Sequence, residues 1–396
     1  MKQQQLRLIT LETQGLINAE SFGTGKDAVL LALEHLGYLQ IDTLSVVERA
    51  HHHTLWTRIP DYKAEYLDDL VKERKVFEHW FHAASYLPMK DFRFALPKML
   101  EIKQNGSQYY NADEKVMQYV MDTIRNEGPK RAIDFESDAK KPGSWWNWKP
   151  AKLALERLFI QGDIMICERN GMQKKYDLTE RVLPSSVDTS PPSPFEFAEY
   201  LVKTYLRAYG FTTVKQITHL KTGLVVRKNV EEVLHSMLRE NTVQRLESKE
   251  FPTVFIQSNL LDKPIQDNDL SVRLLSPFDN SIIHRDRVTQ FFGFDYRLEC
   301  YLPKEKRTYG YFCLPVLFGD VFIGRADCKA HRKEKLFEII HLHIEKEGTN
   351  IELWETSLIK ALKNFAVFNG CSSIVLKQVT PSKLTAHLNQ LLQNNS

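Results

Sequence analysis

The residues with the clearest chemical potential in this sequence are Gln40 and Asp42, in the stretch LGYLQIDTL. In an extended segment the side chains at positions i and i+2 point the same way, so an amide and a carboxylate can share one site. In a helix the same two side chains would diverge by roughly 160°. Gly37 is a typical helix stop, which favours a non-helical YLQID segment. The spacing therefore permits a catalytic pair.

A second interpretation of Asp42 is purely structural. Apolar residues resume after it in TLSVVERAHHHTLWTRI, so we expect a helix to begin at Asp42 or Thr43. Aspartate is among the best helix N-caps. Ser45 stands where a capping box would need Glu or Gln, so only a simple cap is expected. From the residues alone, the cap and the catalytic role both remain open.

Histidine clusters invite a metal site, and the longest is the run His51 to His53. Successive helical side chains diverge by ~100°, so three consecutive rings cannot converge on one ion. No HExxH string occurs either, and we expect no metal. At least one ring is instead free to face a bound partner or the Gln40–Asp42 site. His341 and His343 share one strand face without a visible third ligand and are expected to be structural.

Basic and aromatic residues cluster in KKPGSWWNWKPAK (Lys140–Lys152), where three tryptophans stand among four lysines. The cluster precedes a predicted helix, and Lys174 and Lys175 follow on a predicted hairpin. Lysines at these places are suited to contacting DNA phosphates, and we expect such contacts at Lys149, Lys152, Lys174 and Lys175. The alternative is that the tryptophans fill the core and the lysines only solubilise the turn.

A second charged stretch is RADCKAHRKEK, in which strand alternation places Arg325, Asp327, Lys329 and His331 on one face. The pattern fits either an ordinary half-exposed strand or a nucleic-acid contact. The DNA contacts expected in this stretch are Arg325 and Lys329.

The absence of several motifs, together with the composition, argues against several classes of protein. No GxxxxGK[ST], GxGxxG or GxSxG motif occurs, so nucleotide hydrolysis, dinucleotide redox chemistry and α/β-hydrolase catalysis have no motif support. Five scattered cysteines without a CxxC motif favour reduced thiols in the cytosol. No apolar run approaches the roughly 18 residues of a membrane span, and no secretory signal is expected. The net charge of +3 does not by itself indicate a nucleic-acid partner.

The predicted order of elements repeats along the chain. From Asp113, a helix, a short element, a second helix and a hairpin around Asn170-Gly171 follow one another, which is the order of a winged helix-turn-helix. PSSVDTSPPSP forms a Pro/Ser linker, after which the same order resumes. From Arg273, short alternating segments predict an antiparallel sheet or small barrel.

Several strings, taken in order, are similar to the YcaQ branch of the YcaQ/AlkZ DNA glycosylases: LQIDTLSVVERAHHHTLWTR, WWNWKP, YDLTERVLP, LLSPFD, YRLECYLP, YGYFCLPVL and GRADCKAHR. The resemblance runs from about Leu6 to Val375. It implies an α+β fold with three tandem winged helix-turn-helix units and a small C-terminal antiparallel β-barrel with a C-terminal helix. The expected segments are residues 6–104, 110–184, a linker at 185–193, 194–262 and 272–380.

The same resemblance implies a function, because the Gln-x-Asp signature of that branch falls on Gln40 and Asp42. It implies a monofunctional DNA glycosylase that excises N7-alkylguanine and unhooks N7-linked interstrand crosslinks, without a metal or other cofactor. The expected partner is double-stranded DNA containing alkylated or crosslinked guanine, and we expect further DNA contacts at His53 and Arg58. The protein is expected to be a monomer in the cytoplasm, associated with the nucleoid. The alternative is a winged-helix transcriptional regulator without catalytic activity.

Overall fold

Helices and strands alternate along the chain in an α+β arrangement. In this computed structural model, the structure describes residues 2–18, 20–81, 83–107, 109–135, 148–219, 224–262, 270–345 and 351–394. Within those ranges, no helix combines the length and the apolarity that crossing a bilayer requires. The predicted cluster at Lys140–Lys152 falls mostly outside the described residues, which exclude 136–147 and the side chains of Trp148 and Lys149.

The first repeat of elements carries Gln40. It follows α1 (Gln3–Thr13) and comprises α2 (Gly25–Leu36), β1 (Leu39–Gln40), α3 (Ala50–Trp56), α4 (Ala64–Lys72), β2 (Val76–Trp80) and β3 (Ala84–Pro88). Strand β3 pairs antiparallel with both β1 and β2. The predicted stop at Gly37 is confirmed, because this residue ends α2 with a φ of 82° that favours glycine. The chain therefore turns directly from α2 into β1.

The second and third repeats have the same order of elements and the same strand pairing, with sheet orders β4-β6-β5 and β7-β9-β8. The second follows α5 (Leu96–Asn105) and contains α6 (Glu114–Glu127), β4 (Lys130–Arg131), a 3-10 turn (Ala132–Phe135), α7 (Trp148–Ile160), β5 (Ile164–Asn170) and β6 (Gln173–Leu178). After α8 (Thr179–Val182), the third contains α9 (Pro194–Tyr209), β7 (Phe211–Thr212), α10 (Val214–Ile217), α11 (Leu224–Arg239), β8 (Val243–Leu246) and β9 (Val254–Gln257).

Local sequence signals account for the boundaries of these repeats. The predicted hairpin around Asn170-Gly171 is confirmed, since β5 and β6 pair antiparallel and Gly171 has a φ of 57° at the turn. After the Pro/Ser linker, the Ser193 side chain accepts a hydrogen bond from the Glu196 backbone N–H and Glu196 caps Ser193 in return. Pro194 occupies the first turn of α9, where it needs no hydrogen-bond partner.

The C-terminal part is an open mixed sheet, and the predicted closed antiparallel barrel is wrong. Its elements are β10 (Val272–Leu274), α12 (Asn280–Ile283), α13 (Arg285–Phe292), β11 (Cys313–Phe318), β12 (Val321–His331), β13 (Leu336–Ile344), α14 (Glu355–Phe368), β14 (Ser373–Leu376), β15 (Val379–Thr380) and α15 (Thr385–Asn394). The described strands run in the order β10-β11-β12-β13-β14, with β15 also on β13. Helix α14 carries the chain across the sheet, so β14 and β15 pair parallel to β13 and the sheet does not close.

The buried clusters cross the boundaries that the sequence predicts. Phe77 from the first repeat and Phe92, just after that repeat, pack in one cluster with Leu201 and Tyr205 from the third. Another cluster joins α1 with the third repeat and the C-terminal sheet, through residues such as Leu6, Phe211, Phe291 and Leu317. The repeats are therefore held by common cores rather than by linkers alone.

Candidate active site

Gln40 and Asp42 lie at the edge strand of the sheet in the first repeat. The extended geometry predicted for this stretch is confirmed, because Leu39 and Gln40 pair with Tyr86 and Ser85 of β3. The Ile41 N–H continues the pairing by donating to the carbonyl of Ala84 at 2.8 Å. Leu39 and Ile41 both lie in the buried cluster of this repeat. Since side chains alternate along an extended chain, Gln40 and Asp42 point to the opposite side.

Asp42 is not a helix cap. The helix predicted to begin at Asp42 or Thr43 begins instead at Ala50, with Arg49 as its N-cap residue. Residues 41–49 form an irregular connection between β1 and α3, which we call the 41–49 connection. The apolar residues that are spaced as in a helix pack against the C-terminal part of the chain instead. Val47 lies in the core of the C-terminal sheet, and Leu44 and Val46 pack against that core.

The C-terminal part of the chain holds the 41–49 connection in place. The Ala330 N–H donates to the Val46 carbonyl at 2.8 Å, and the Arg332 guanidinium donates to the Ser45 carbonyl at 3.0 Å. The Glu48 N–H donates to the Asn369 side-chain oxygen at 2.7 Å. These tertiary contacts replace the helical hydrogen bonds that the connection lacks. They also fix the two ends of the connection, Asp42 and Arg49, relative to each other.

The Asp42 carboxylate is nearly buried and only partly satisfied. Its residue is 8% exposed, and its Oδ2 atom has no hydrogen-bond partner among the described residues. Burial raises the pKa of Asp42, while hydrogen bonds from the Leu44 and Thr43 backbone N–H groups and the charge of Arg49 oppose that rise. The result is a nearly buried carboxylate with one oxygen that the described residues leave without a hydrogen bond.

A loop from the C-terminal part comes within electrostatic reach of Asp42, and sequence reasoning missed it. Burial raises the pKa of both Cys300 and Tyr301, and the negative charge of Asp42 adds to that rise. Tyr301 is 76% exposed. YRLECYLP reads as a strand in sequence, but residues 294–312 contain no strand and only a 3-10 turn at Lys304–Lys306. Pro303 next to a lysine-rich turn is the available sequence signal for a loop.

The 294–312 loop is closed by a carboxylate at its base. Glu299 accepts hydrogen bonds from the backbone N–H groups of Thr308, Tyr309 and Gly310, at 3.1, 2.8 and 3.2 Å. These bonds hold the pKa of Glu299 below its usual value despite the effect of burial. The closed loop keeps Tyr301 in solvent at the edge of the site.

Comparison with known proteins places these residues in a family. The family model described as DNA glycosylase AlkZ-like matches residues 33–365, a range that contains Gln40, Asp42 and Tyr301. The chain belongs to the AlkZ-like DNA glycosylase family. The glycosylase is also similar to the solved structure of Streptomyces sahachiroi DNA glycosylase AlkZ, with a TM-score of 0.62 and 14% identity, covering 96% of this chain and 100% of that chain. At this identity the structural likeness shows a shared fold, and the family match identifies a DNA-repair enzyme rather than a regulator without catalysis.

The histidine run of the glycosylase packs into the protein interior. His53 is fully buried, donates from Nε2 to the Leu274 carbonyl at 2.8 Å and packs on Phe365. The predicted DNA contact at His53 is therefore wrong, and burial lowers the pKa of its ring to about 4. Burial also lowers the pKa of His52 to about 4, and its Nδ1 lies 2.6 Å from the Tyr62 hydroxyl. Among the described residues, no three or more His, Cys, Asp or Glu side chains form a metal-binding group.

The predicted DNA contacts at Arg58 and Arg325 are also wrong, because both guanidinium groups are buried and fully engaged. Arg58 donates to both carboxylate oxygens of Asp279, at 2.7 and 2.9 Å. Arg325 forms an ion pair with Glu345 and stacks on Tyr309, with 3.9 Å between the guanidinium carbon and the ring centre. The loop that carries Tyr309 covers this face of β12, so alternation alone does not reveal which charges reach solvent.

Four of the five lysines predicted to contact DNA have described side chains, and these side chains lie nearer the surface. Lys152 on α7 and Lys329 on β12 are exposed. Lys174 and Lys175 lie on β6 and pair with Glu156 and Glu168, at 2.9 and 3.4 Å. The Lys149 side chain is outside the described residues. DNA contact at these five lysines stays a prediction.

The two neighbouring histidines of β13 are held by protein groups. The rings of His341 and His343 stack with their centres 3.6 Å apart. His341 Nε2 lies 2.8 Å from the Thr380 hydroxyl, and His343 Nε2 donates to the Tyr309 carbonyl at 3.1 Å. These contacts agree with the structural role expected for the pair.

Proposed function

We propose that this glycosylase hydrolyses the N-glycosidic bond of N7-alkylguanine in double-stranded DNA and unhooks interstrand crosslinks joined through N7. The observation that carries the proposal is the nearly buried Asp42 carboxylate, whose Oδ2 has no hydrogen-bond partner in the part of the chain that the structure describes. A buried acceptor without a partner is unfavourable unless a ligand or water completes its hydrogen bonds. The Gln-x-Asp signature of the resembling branch falls on the same residues.

The chemistry follows from the charge of the damaged base. Alkylation at N7 makes guanine cationic, so the leaving group is already activated and needs little help from an acid. As the glycosidic bond breaks, the sugar acquires oxocarbenium character, as it does in glycoside hydrolysis. Asp42 stabilises that positive charge and accepts a proton from the attacking water. The water adds its oxygen to C1′, and the base leaves with the electron pair of the broken bond.

Gln40 is proposed to orient the attacking water or the Asp42 carboxylate. Two residues apart in an extended chain, the two side chains start from Cα atoms about 6.6 Å apart on the same side. An amide supplies both a donor and an acceptor, which suits a group that positions a water between the sugar and a carboxylate. No Schiff base takes part in this sequence of steps, so the proposed enzyme is monofunctional and leaves the DNA strand intact.

The repeated order of elements supports a proposal for how DNA is held. A winged-helix unit consists of a helix, a short strand, two helices and a hairpin. The last strand of the hairpin pairs with the short strand that follows the first helix. We assign such units to residues 6–104, 110–184 and 194–262, with the C-terminal sheet and helix at 272–380. Lysines 149, 152, 174, 175 and 329 are the proposed phosphate contacts. The proposed enzyme acts as a monomer on nucleoid DNA in the cytoplasm.

The proposed site works with little or no extrusion of the base. Full flipping costs a few kcal/mol of unstacking, and a base tied to the opposite strand cannot be extruded freely. Asp42 lies at the edge of a sheet rather than behind it, and the neighbouring Tyr301 is exposed. This arrangement favours approach to C1′ from outside the duplex.

The direct test is base release from a defined substrate. Duplex DNA carrying one N7-methylguanine is incubated with the full-length protein in the absence of metal, and free base and strand cleavage are measured. We expect free base from the wild type, loss of release in Asp42→Asn, a reduced rate in Gln40→Ala, and no strand cleavage before alkali. Full activity in Asp42→Asn would refute the assigned mechanism.

A further inference from the structure

Arg49 lies at the far end of the 41–49 connection, close to Asp42. It is the N-cap residue of α3, and α3 packs against β1, the strand that leads into Asp42. The positive charge of Arg49 lowers the pKa of Asp42, which agrees with that placement. The connection is pinned by the hydrogen bonds at Ser45, Val46 and Glu48, so this geometry does not depend on the Arg49 side chain.

Among the residues that the structure describes, the Arg49 guanidinium has no hydrogen-bond or ion-pair partner. Its Nε is buried without a hydrogen-bond partner, and within the described ranges the group forms no ion pair. Three buried arginines form ion pairs, Arg58 with Asp279, Arg169 with Glu78 and Arg325 with Glu345, and a fourth, Arg287, donates hydrogen bonds to Thr10 and to backbone carbonyls. A guanidinium carries five donors and cannot lose its charge, so leaving it unpaired and half-buried is unfavourable.

The nearest carboxylate in sequence does not satisfy Arg49. Glu48 accepts a hydrogen bond from the Arg49 backbone N–H at 3.0 Å, not from its side chain. The other Glu48 oxygen lies 3.5 Å from the Arg332 guanidinium. Arg332 therefore holds Glu48 toward the C-terminal sheet and leaves the Arg49 guanidinium for another anion.

We propose that Arg49 binds a backbone phosphate of the damaged strand, next to the nucleotide whose glycosidic bond faces Asp42. This assignment rests on the proposed function of Asp42. A phosphodiester is the anion that DNA offers at every nucleotide, and it matches the paired donors of a guanidinium. Bound in this way, the phosphate fixes the distance between the sugar and the carboxylate. Arg49 is thus a positioning residue whose charge also favours the ionised form of Asp42.

The test uses DNA in which single phosphates are replaced by neutral methylphosphonates, one at a time on either side of the N7-methylguanine. Binding is measured in the Asp42→Asn background, so the readout does not require catalysis. We expect one replacement to weaken binding about ten- to a hundredfold, the value of a hydrogen bond to a charged group. Adding Arg49→Met must abolish the effect of that one replacement. If the double variant keeps the same loss at that position, the assignment is overturned.

Two further variants keep the test decisive. Arg239→Met, an exposed arginine at the end of α11, must retain the full effect of the critical replacement. Arg49→Lys keeps the charge without the paired donors, so it should retain part of the effect and serves if Arg49→Met does not fold. Loss of the effect in Arg239→Met as well would overturn the assignment, because it would not be specific to Arg49.

The pH dependence of base release separates positioning from a structural role. Removing the Arg49 charge raises the pKa of Asp42, so the acid limb of the rate profile should move to higher pH in Arg49→Met and return toward the wild type in Arg49→Lys. An unmoved limb would refute the electrostatic role. If no variant or wild type releases base while the methylphosphonate effect at Arg49 persists, the proposed function fails but the phosphate contact stands.

Discussion

Asp42→Asn removes the charge of the proposed catalytic carboxylate while preserving its shape. The carboxylate is nearly buried, so an effective dielectric constant of about 20 applies to its attraction for a positive sugar about 4 Å away, which amounts to about 4 kcal/mol. Because each 1.36 kcal/mol changes a rate tenfold, we expect release of N7-methylguanine to slow about a thousandfold. Loss of the proton acceptor adds to that effect.

The assay is single-turnover release of N7-methylguanine from a duplex, with enzyme in excess over DNA. Asp91→Asn is the matched control: burial also raises the pKa of Asp91, and its partner is the Tyr200 hydroxyl at 3.4 Å. We expect the control to release base at the wild-type rate. Both variants should bind the duplex at least as tightly as the wild type, because neither removes a positive charge.

Asp42→Asn should also change the stability of the protein, and stability should rise while activity falls. Since burial raises the folded pKa of Asp42, its protonated form stabilises the folded state, and that stabilisation is lost as the pH rises through the folded pKa. At neutral pH the ionised carboxylate is therefore unfavourable, and Asp42→Asn should unfold at a higher urea concentration than the wild type. A rate loss below tenfold, or a loss accompanied by destabilisation, would refute the reasoning.

Three further predictions follow from the same structure. Base release should fall as the pH drops through the folded pKa of Asp42, and this fall should occur above the pH range in which an ordinary aspartate titrates. A fall in rate at the ordinary aspartate pKa would contradict the effect of burial. Arg58→Met should destabilise the protein by about 3–5 kcal/mol in urea unfolding, because it leaves Asp279 buried and unpaired. Adding Asp279→Leu should recover much of that loss of stability. If Arg58→Met instead lowered DNA affinity without destabilising the protein, the interior role of Arg58 would be contradicted. A chelator should leave the rate of base release unchanged, since the cationic leaving group and Asp42 supply the chemistry, and inhibition that added Mg²⁺ or Zn²⁺ reverses would contradict this.

Short-range signals determined much of the local structure. Gly37 ends α2, Asn170-Gly171 turns the hairpin, and Ser193 with Pro194 begins α9 as expected. Each of these boundaries depends on a backbone conformation or a capping hydrogen bond that involves only residues close in sequence. The extended geometry that lets Gln40 and Asp42 share one side follows from the same kind of local information. The resemblance to a glycosylase family likewise rests on strings of the sequence and agrees with the family match.

Long-range packing decided where the charges lie. His53, Arg58 and Arg325 carry groups that suit DNA, yet each is buried against a partner more than 15 residues away, such as Leu274 or Asp279. A sequence pattern reports which side chains are charged, but not which surface another segment covers. The apolar residues after Asp42 show the same limit, since they pack on the C-terminal sheet instead of forming a helix.

The sequence by itself therefore determined the type and spacing of the two catalytic candidates and the turns that precede them. Only the tertiary structure decided that Asp42 is not a cap and that Cys300 and Tyr301 come within its electrostatic reach. It also decided that Arg49 has no hydrogen-bond or ion-pair partner among the described residues. The physical reason is that caps and turns are satisfied within a few residues. The environment of a carboxylate, in contrast, is set by the solvent and charges that distant segments exclude or bring close.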